Sequence, residues 1–431
     1  MRNKRISLVL VILVFILVFT GCNIRRYSIH ISNLNEQEEK EVLNYMENNH
    51  SSIEIDVENI FTDLAIIDSD LEGKEIFFTG EVHGVKANSA LEIKFIKYFK
   101  EKTDFTYYLC ETAYSDAYFY NKYLDTGDVK ILEEMYRPLK GTFEWNKDSY
   151  NLWKELYEYN KTLSDGKKIK VVGVDIEHQI DNAYRYLVDV LPKNEPPEEI
   201  KESISKIKSI LEEFDEATAH ENSSKLLRDI EEKESLYKGY LGENFFGFKL
   251  VNQNILNSLK SYERDNDDDW NNTRDKFIYE NFKAVEQEFP KGKYYGQWGL
   301  NHIYQAKEEN VMWFGSYLNS QESEFKDKIL SIAYIYDDCK QMGRKNNNRD
   351  NSNKYTEEKL NTILKPIKQA NDQIGEDINI YKLTGEGSSF FELQFYDLFE
   401  SKDSQAKAAD FFQYIICIKN SEASKPLNDE Y

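Results

Sequence analysis

The stretch Lys74–Asn88 reads KEIFFTGEVHGVKAN. Ile76, Phe77 and Phe78 make a short apolar run without polar alternation, the mark of a strand buried on both faces. The run breaks at Thr79-Gly80, and Glu81 and His83 follow two residues apart, closed by Gly84. Beyond it, SALEIKFIKYFKEK has the apolar spacing of an amphipathic helix. A strand, a tight turn and a helix open a βαβ unit. The chain has only six histidines in 431 residues. One at a strand exit therefore carries weight, because a carboxylate-oriented imidazole can take a proton from water near neutrality.

The same grammar repeats outward. FTYYLCE is a second strand ending in Glu111, and KIKVVGVD a third ending in Asp175, with Glu177 and His178 just beyond. GKYYGQWGLNH places Asn301 and His302 past a fourth, and ILSIAYIY and AADFFQYIICIKN complete the strand set. Strands alternating with helices predict an α/β fold with a mainly parallel central sheet flanked by helices. Between Pro192 and Pro290 only helical patterns occur, which predicts a helical insertion over about 193–292. Residues 23–60 read as a polar spacer with one helix in NEQEEKEVLNYMENN, and 61–431 as the α/β domain. GRKNNNRDNSN (343–353) reads as a polar loop without packing potential.

Parallel sheets bind ligands outside the carboxyl ends of their strands. The exits at Glu81 and His83, Glu111, Asp175 and His302 are then expected to face one crevice. Blander roles exist for each: Glu111 suits an acceptor of backbone amides, Asp175 a helix N-cap, and Glu177-His178 a solvated helix start. His30, His50 and His220 lie in polar surroundings and read as surface residues. His83, His302 and Glu111 would also make a two-His, one-carboxylate metal set, although neither H-E-x-x-H nor C-x-x-C is present. A metal is not among the expected ligands.

The net charge of −22 excludes a nucleic-acid partner, since phosphate contacts need basic patches. Arg2, Lys4 and Arg5 precede an apolar run from Ile6 to Phe19, and Phe19-Thr20-Gly21-Cys22 follows. The run is short for a membrane span, and its end resembles a bacterial lipobox. Residues 1–22 thus read as a lipoprotein signal peptide, with Cys22 lipidated and the protein held on the outer side of the cell membrane. The remaining Cys110, Cys339 and Cys417 are odd in number and widely spaced, so no disulfide framework follows.

The ordered motifs resemble the erythromycin esterase-like family, within a wider group that includes the ChaN haem-uptake, TIKI and TraB proteins. The resemblance rests on Gly80-Glu81-Val82-His83-Gly84, Cys110-Glu111, YNKYLDTGD, LWKELYEYN, Gly173-Val174-Asp175, NNTRDKFIYENF and GQWGLNH. It covers about residues 70–427. It implies a crevice built from His83, Glu111, Arg274 and His302, with Glu81, Asp175 and Asn301 as binding residues. His83 would be the base that activates water on an ester or lactone of a small-molecule substrate, with Glu111 and His302 as its catalytic partners. The chain departs from the esterases in having Val82 alone between Glu81 and His83, Lys94 where an Arg is usual on the next helix, and Gly299-Leu300-Asn301-His302 around the second histidine. The competing readings are a lipoprotein that binds haem or another small ligand through His83 or His302, a hydrolase or protease dependent on a divalent metal, and a non-enzymatic surface protein.

Overall fold

A computed structural model describes residues 34–55, 61–308, 310–345, 354–363, 365–394 and 406–428. The signal segment, Cys22 and His30 lie outside the described residues. The strands are β1 (His50–Ser52), β2 (Ile76–Glu81), β3 (Tyr107–Tyr108), β4 (Lys170–Val171), β5 (Tyr294–Gly299), β6 (Ile329–Asp337), β7 (Cys339–Met342), β8 (Glu357–Leu360), β9 (Ile378–Lys382) and β10 (Tyr414–Lys419). One eight-stranded sheet runs in the order β1-β9-β10-β6-β2-β5-β3-β4, parallel from β10 to β4 and antiparallel at β9 and β1. The expected α/β fold with its mainly parallel sheet is therefore present. β6 is buried at every position and β2 at all but its last, as strands covered by helices on both faces must be.

The second and third strands are shorter than their apolar runs suggested. Only two residues each of β3 and β4 form ladder pairs. The chains nonetheless stay side by side to Ala113 and Asp175, where Asp175 N donates to Thr112 O at 3.0 Å. Gly173 makes this approach feasible, since a Cβ there would stand 2.0 Å from Ala113 O.

β4 is the sheet edge, and two asparagines complete it. Asn160 donates to Ile169 O (3.1 Å) and accepts from Ile169 N (2.7 Å), while Asn121 does the same for Val171 (2.8 and 2.9 Å). Each side-chain amide acts as one residue of a missing neighbouring strand, which gives the asparagines of YNKYLDTGD and LWKELYEYN a physical role. Asn160→Ala would leave two buried backbone groups unpaired. We expect a loss of about 2–3 kcal/mol in urea unfolding; a loss below about 0.5 kcal/mol would contradict the stitching role.

Residues 36–52 are part of the body and not a detached spacer. Helix Glu36–Asn48, closed by an Asn35/Glu38 capping box, packs on helix Lys365–Ile374, and β1 pairs with β9. His50 is half-exposed in the edge strand β1, in keeping with a surface residue, whereas the His220 side chain is only 12% exposed. Between β4 and β5 the described elements are helices throughout, ending in Phe245–Tyr262 and Asp267–Glu288. None of the described helices is long and apolar enough to cross a membrane.

Candidate active site

β2, β5, β3 and β4 are neighbours in that order, so their carboxyl ends deliver Glu81 and His83, then His302, then Glu111, then Asp175. His83 Nδ1 lies 2.7 Å from Glu81 Oε1. Asn88 donates to Glu81 Oε2 and to Val82 O (2.9 Å), and Tyr336 OH donates to Asn88 Oδ1 (3.0 Å) while accepting from Val82 N (2.9 Å). This relay holds Glu81 as the acceptor for Nδ1–H, which leaves Nε2 as the nitrogen with a lone pair in the neutral ring. The single residue between Glu81 and His83 does not keep the two apart. Gly84 (φ +85°) makes the turn, pressed so closely on the β7–β8 hairpin that a Cβ would meet Met342 O at 2.5 Å. Phe143 stacks on the imidazole with centroids 4.5 Å apart and planes 11° from parallel, and the Arg344 guanidinium lies over the Phe143 ring, 4.9 Å from its centroid. Arg344, in the run expected to be a loop without packing, thus packs on the site.

Glu111 faces His83 Nε2 at 3.9 Å through Oε2. That same oxygen accepts from Gly299 N at 2.7 Å, and Oε1 accepts from Arg274 Nη2 at 2.6 Å. Arg274 Nε donates to Asp175 Oδ1 at 2.9 Å, and Nη2 also bonds Asp175 Oδ2. Asp175 is thus no helix cap but the buried counter-ion of Arg274. Arg274 Nη1 lies 3.0 Å from His302 Nε2, and His302 Nδ1 lies 2.8 Å from Asp275 Oδ1. A guanidinium can only donate, so this contact requires His302 neutral with its proton on Nδ1. The Asp275 carboxylate raises the His302 pKa nonetheless, against burial and the Arg274 charge. A second proton on Nε2 would set two donors face to face across the Arg274 contact.

His302 therefore has both nitrogens engaged. It offers neither a haem ligand nor a member of a His83–Glu111–His302 metal set, because the Arg274 charge stands where the ion would go. A different trio, Glu81, His83 and Glu144, has ligand atoms within 4.8 Å of one another. As arranged it does not fit a metal. Nδ1 and Glu81 Oε1 are 2.7 Å apart, a hydrogen bond, whereas two ligands at about 2.1 Å from one tetrahedral ion stand about 3.4 Å apart.

The remaining residues divide plainly. His178 reaches Asp175 Oδ2 at 3.3 Å and Tyr262 OH at 2.7 Å, beside the crevice. Asn301 is exposed and its carbonyl closes the turn to Tyr304 N at 3.1 Å. Lys94 points away from the site, buried against Asp63 (2.6 Å) and Glu54 O (2.6 Å). Glu177 is buried against Ser115 Oγ at 2.5 Å. A groove of about 310 Å³ lined by Tyr107, Tyr118, Val172 and Phe289 lies under the β4 edge and contains none of the crevice residues. Glu144, Phe143 and Asp275 belong to the site and escaped the sequence reading. Asp275 had a signal in the Arg-Asp pair of NNTRDKFIYENF; Glu144 sits in a loop that no periodicity marks.

Charge is unevenly distributed. Burial would raise Glu111, but charge on its neighbours outweighs it and brings its pKa down to about 2; with His302 neutral, as its bond to Arg274 requires, that charge is carried by Arg274 and His83. Burial disfavours a charge on His83, yet the hydrogen bond and charge of Glu81, with Glu111 and Glu144 behind it, raise its pKa to about 10. Glu144 is pushed up to about 7 by burial, opposed by His83. A Cβ built on Gly299 would stand 3.4 Å from His83 Nε2, from Glu111 Oε2 and from His302 Cδ2. The glycine leaves open the one point where the three groups converge.

Residues 100–312 match the family model described as Erythromycin esterase. Three solved structures share the fold. A succinoglycan biosynthesis protein superposes with a TM-score of 0.68 at 12% identity, over 91% of this chain and 99% of its own. A Bacillus cereus protein gives 0.67 at 15% identity over the same shares. A variant of the erythromycin esterase EreC in its open conformation gives 0.65 at 13% identity, over 88% of this chain and 99% of its own. No curated protein sequence matches the chain. The kinship supports a hydrolase-like or related activity. The segment similar to the erythromycin esterases supplies Glu111, Asp175, Arg274 and His302 to the carboxyl edge of the sheet, and the α/β fold around it is the one these structures share.

Proposed function

We propose that this protein hydrolyses an ester or lactone of a small molecule, with His83 as the base that activates water. The observation that carries this reading is the space above Gly299, 3.4 Å from both His83 Nε2 and Glu111 Oε2. The 3.9 Å between those two atoms is a gap that one water bridges. Such a water is polarised by Nε2 on one side and aligned by Glu111 on the other. Glu81 holds the tautomer and stabilises the imidazolium that forms. Arg274 uses four of its five N–H donors on Asp175, Glu111 and His302, which leaves one on Nη1 and a fixed positive charge for the developing oxyanion. His302, braced by Asp275, is a positioning residue for that guanidinium.

The test is turnover of a panel of aryl, alkyl and macrocyclic esters by the purified protein. No hydrolysis across the panel would end the reading. Glu81→Gln is expected to lower kcat/KM about 10²-fold, since it frees the ring to turn and removes the charge that supports the imidazolium; an undiminished rate would remove Glu81 from the mechanism.

We further propose that Cys22 carries the lipid and places this activity on the outer face of the membrane. The support is the basic start, the 14-residue apolar run and Thr20-Gly21-Cys22. Cys22→Ala is expected to move the protein from the membrane fraction to the soluble one. Unchanged membrane association would count against the anchor.

A further inference from the structure

We propose that Glu144 is the general acid of this site, the group that protonates the departing alkoxide. The proposal rests on the ester-hydrolase reading above and assigns its second proton transfer.

Glu144 differs from every other carboxylate of the crevice. Glu81, Glu111, Asp175 and Asp275 each accept at least one short hydrogen bond that fixes them. Among the described residues no such bond is made to the Glu144 carboxylate, whose nearest charged contact is His83 Nδ1 at 3.8 Å. It is also the most open, 42% exposed against 13% for Glu81, 16% for Glu111 and 1% for Asp175. The neighbouring Phe143 is held by His83 and Arg344, and Gly141 is gripped by Tyr355 OH (2.8 Å) and Lys345 N (3.0 Å). With Trp145 O accepting from Leu427 N (3.0 Å), the loop is anchored on both sides of a carboxylate that no hydrogen bond fixes in place.

The groups that face Glu144 set its proton. His83 and Glu81 approach from the β2 exit and Glu111 from the β3 exit, while Glu92 lies behind on helix Lys86–Thr103 and Arg344 covers Phe143 from the β7–β8 hairpin. Burial, with Glu81 and Glu111 beside it, raises the Glu144 pKa to about 7 against the pull of His83, so a share of the carboxyl groups holds a proton at neutral pH. His83 holds the higher of the two values, so the resting pair carries its proton on the imidazole, and the reactive form is the reverse arrangement.

The chemistry balances. His83 Nε2 takes one proton from water as the oxygen bonds the acyl carbon and the carbonyl pair moves onto oxygen. Collapse re-forms the carbonyl and breaks the bond to the alkoxide, which takes the Glu144 proton and leaves as the alcohol. One proton then passes from His83 to Glu144 through bulk water, and both groups return to their starting state. Only ester and water are consumed.

The working form carries one proton on the pair, on Glu144 and not on His83. It is a minor arrangement of a coupled titration, and its population is greatest between the two macroscopic values near 7 and 10. The kcat/KM profile is therefore expected to rise through about 7 and fall through about 10.

The decisive experiment compares ethyl butyrate, whose alkoxide needs a proton, with 4-nitrophenyl butyrate, whose phenolate does not, using the full-length protein in detergent. Glu144→Gln is expected to lose about 10²–10³-fold in kcat/KM on the ethyl ester and tenfold or less on the nitrophenyl ester, and to lose the alkaline limb of the profile. Equal losses on both, or none on the ethyl ester, overturn the acid role while leaving the base role of His83 intact. Wild-type protein inert to both esters overturns the hydrolase reading itself, and full activity in His83→Ala overturns the base on which the proposal rests. A carbon-13 titration of the Glu144 carboxyl needs no substrate: a midpoint at the ordinary carboxylate value, about 4.3, also overturns the proposal.

Discussion

Arg274→Ala is expected to cost about 3–5 kcal/mol of stability at pH 7, the largest loss from any single substitution in the crevice. Its guanidinium is the charge against which Asp175 (1% exposed) and Glu111 are buried, and it holds His302 at 3.0 Å. Removing it leaves two carboxylates facing each other in a site with little solvent. The pH dependence follows from the direction of their shifts. Both folded-state values lie below the ordinary carboxylate range, Glu111 at about 2. Their contribution is therefore full above about 4 and is lost as pH falls toward 2. In the variant those depressed values rise, so its deficit is greatest at neutral pH and shrinks in acid. Arg274→Lys restores a charge but not the fork that serves Asp175, Glu111 and His302 together, and should recover less than half of the loss. Urea unfolding at pH 7 and pH 4 checks this. A deficit within about 1 kcal/mol of wild type at pH 7 would mean the network is not a stability element.

His83→Ala is expected to lower ester hydrolysis at least about 10³-fold while leaving the fold intact. The rate loss follows from removing the imidazole nitrogen that faces the space above Gly299 and takes the proton from water. The stability change is small because the ring is 28% exposed and its main apolar contact is one stacked face of Phe143. What loss there is should depend on pH in the opposite sense to that of Arg274→Ala. The folded-state pKa of His83 is raised to about 10, so its favourable pairing with Glu81 is full below about 6.5 and disappears as pH rises through 10. A folded His83→Ala protein that still turns over the panel would falsify the base assignment.

The placement of Glu81, His83, Glu111, Asp175 and His302 along one sheet edge was legible in the residues. Each stands within a few positions of the end of an apolar run, and parallel strands must end on the same side. The edge order was not legible. β5 comes late in the chain yet lies between β2 and β3, which brings His302 next to Glu111 across 191 positions of sequence. Asn121 and Asn160 stood out only as parts of a resemblance. Their purpose depends on β4 being the last strand of the sheet, a fact of assembly that local pattern does not encode.

The amino-acid sequence by itself determined the class of fold and which strand exits carry carboxylates and imidazoles, because burial on both faces and the βα alternation are written locally. The tertiary structure alone decided what each group is able to do. Two histidines that look alike in the chain differ because Arg274 occupies one Nε2 and an open space faces the other. Glu81, separated from His83 by Val82 alone, a spacing unlike that of the esterases, still reaches its ring because Asn88 and Tyr336 hold it there. Glu144 enters through a loop pinned by a distant hairpin. Proton positions depend on the charges and hydrogen bonds within a few ångströms, and those neighbours come from elements far apart in the chain.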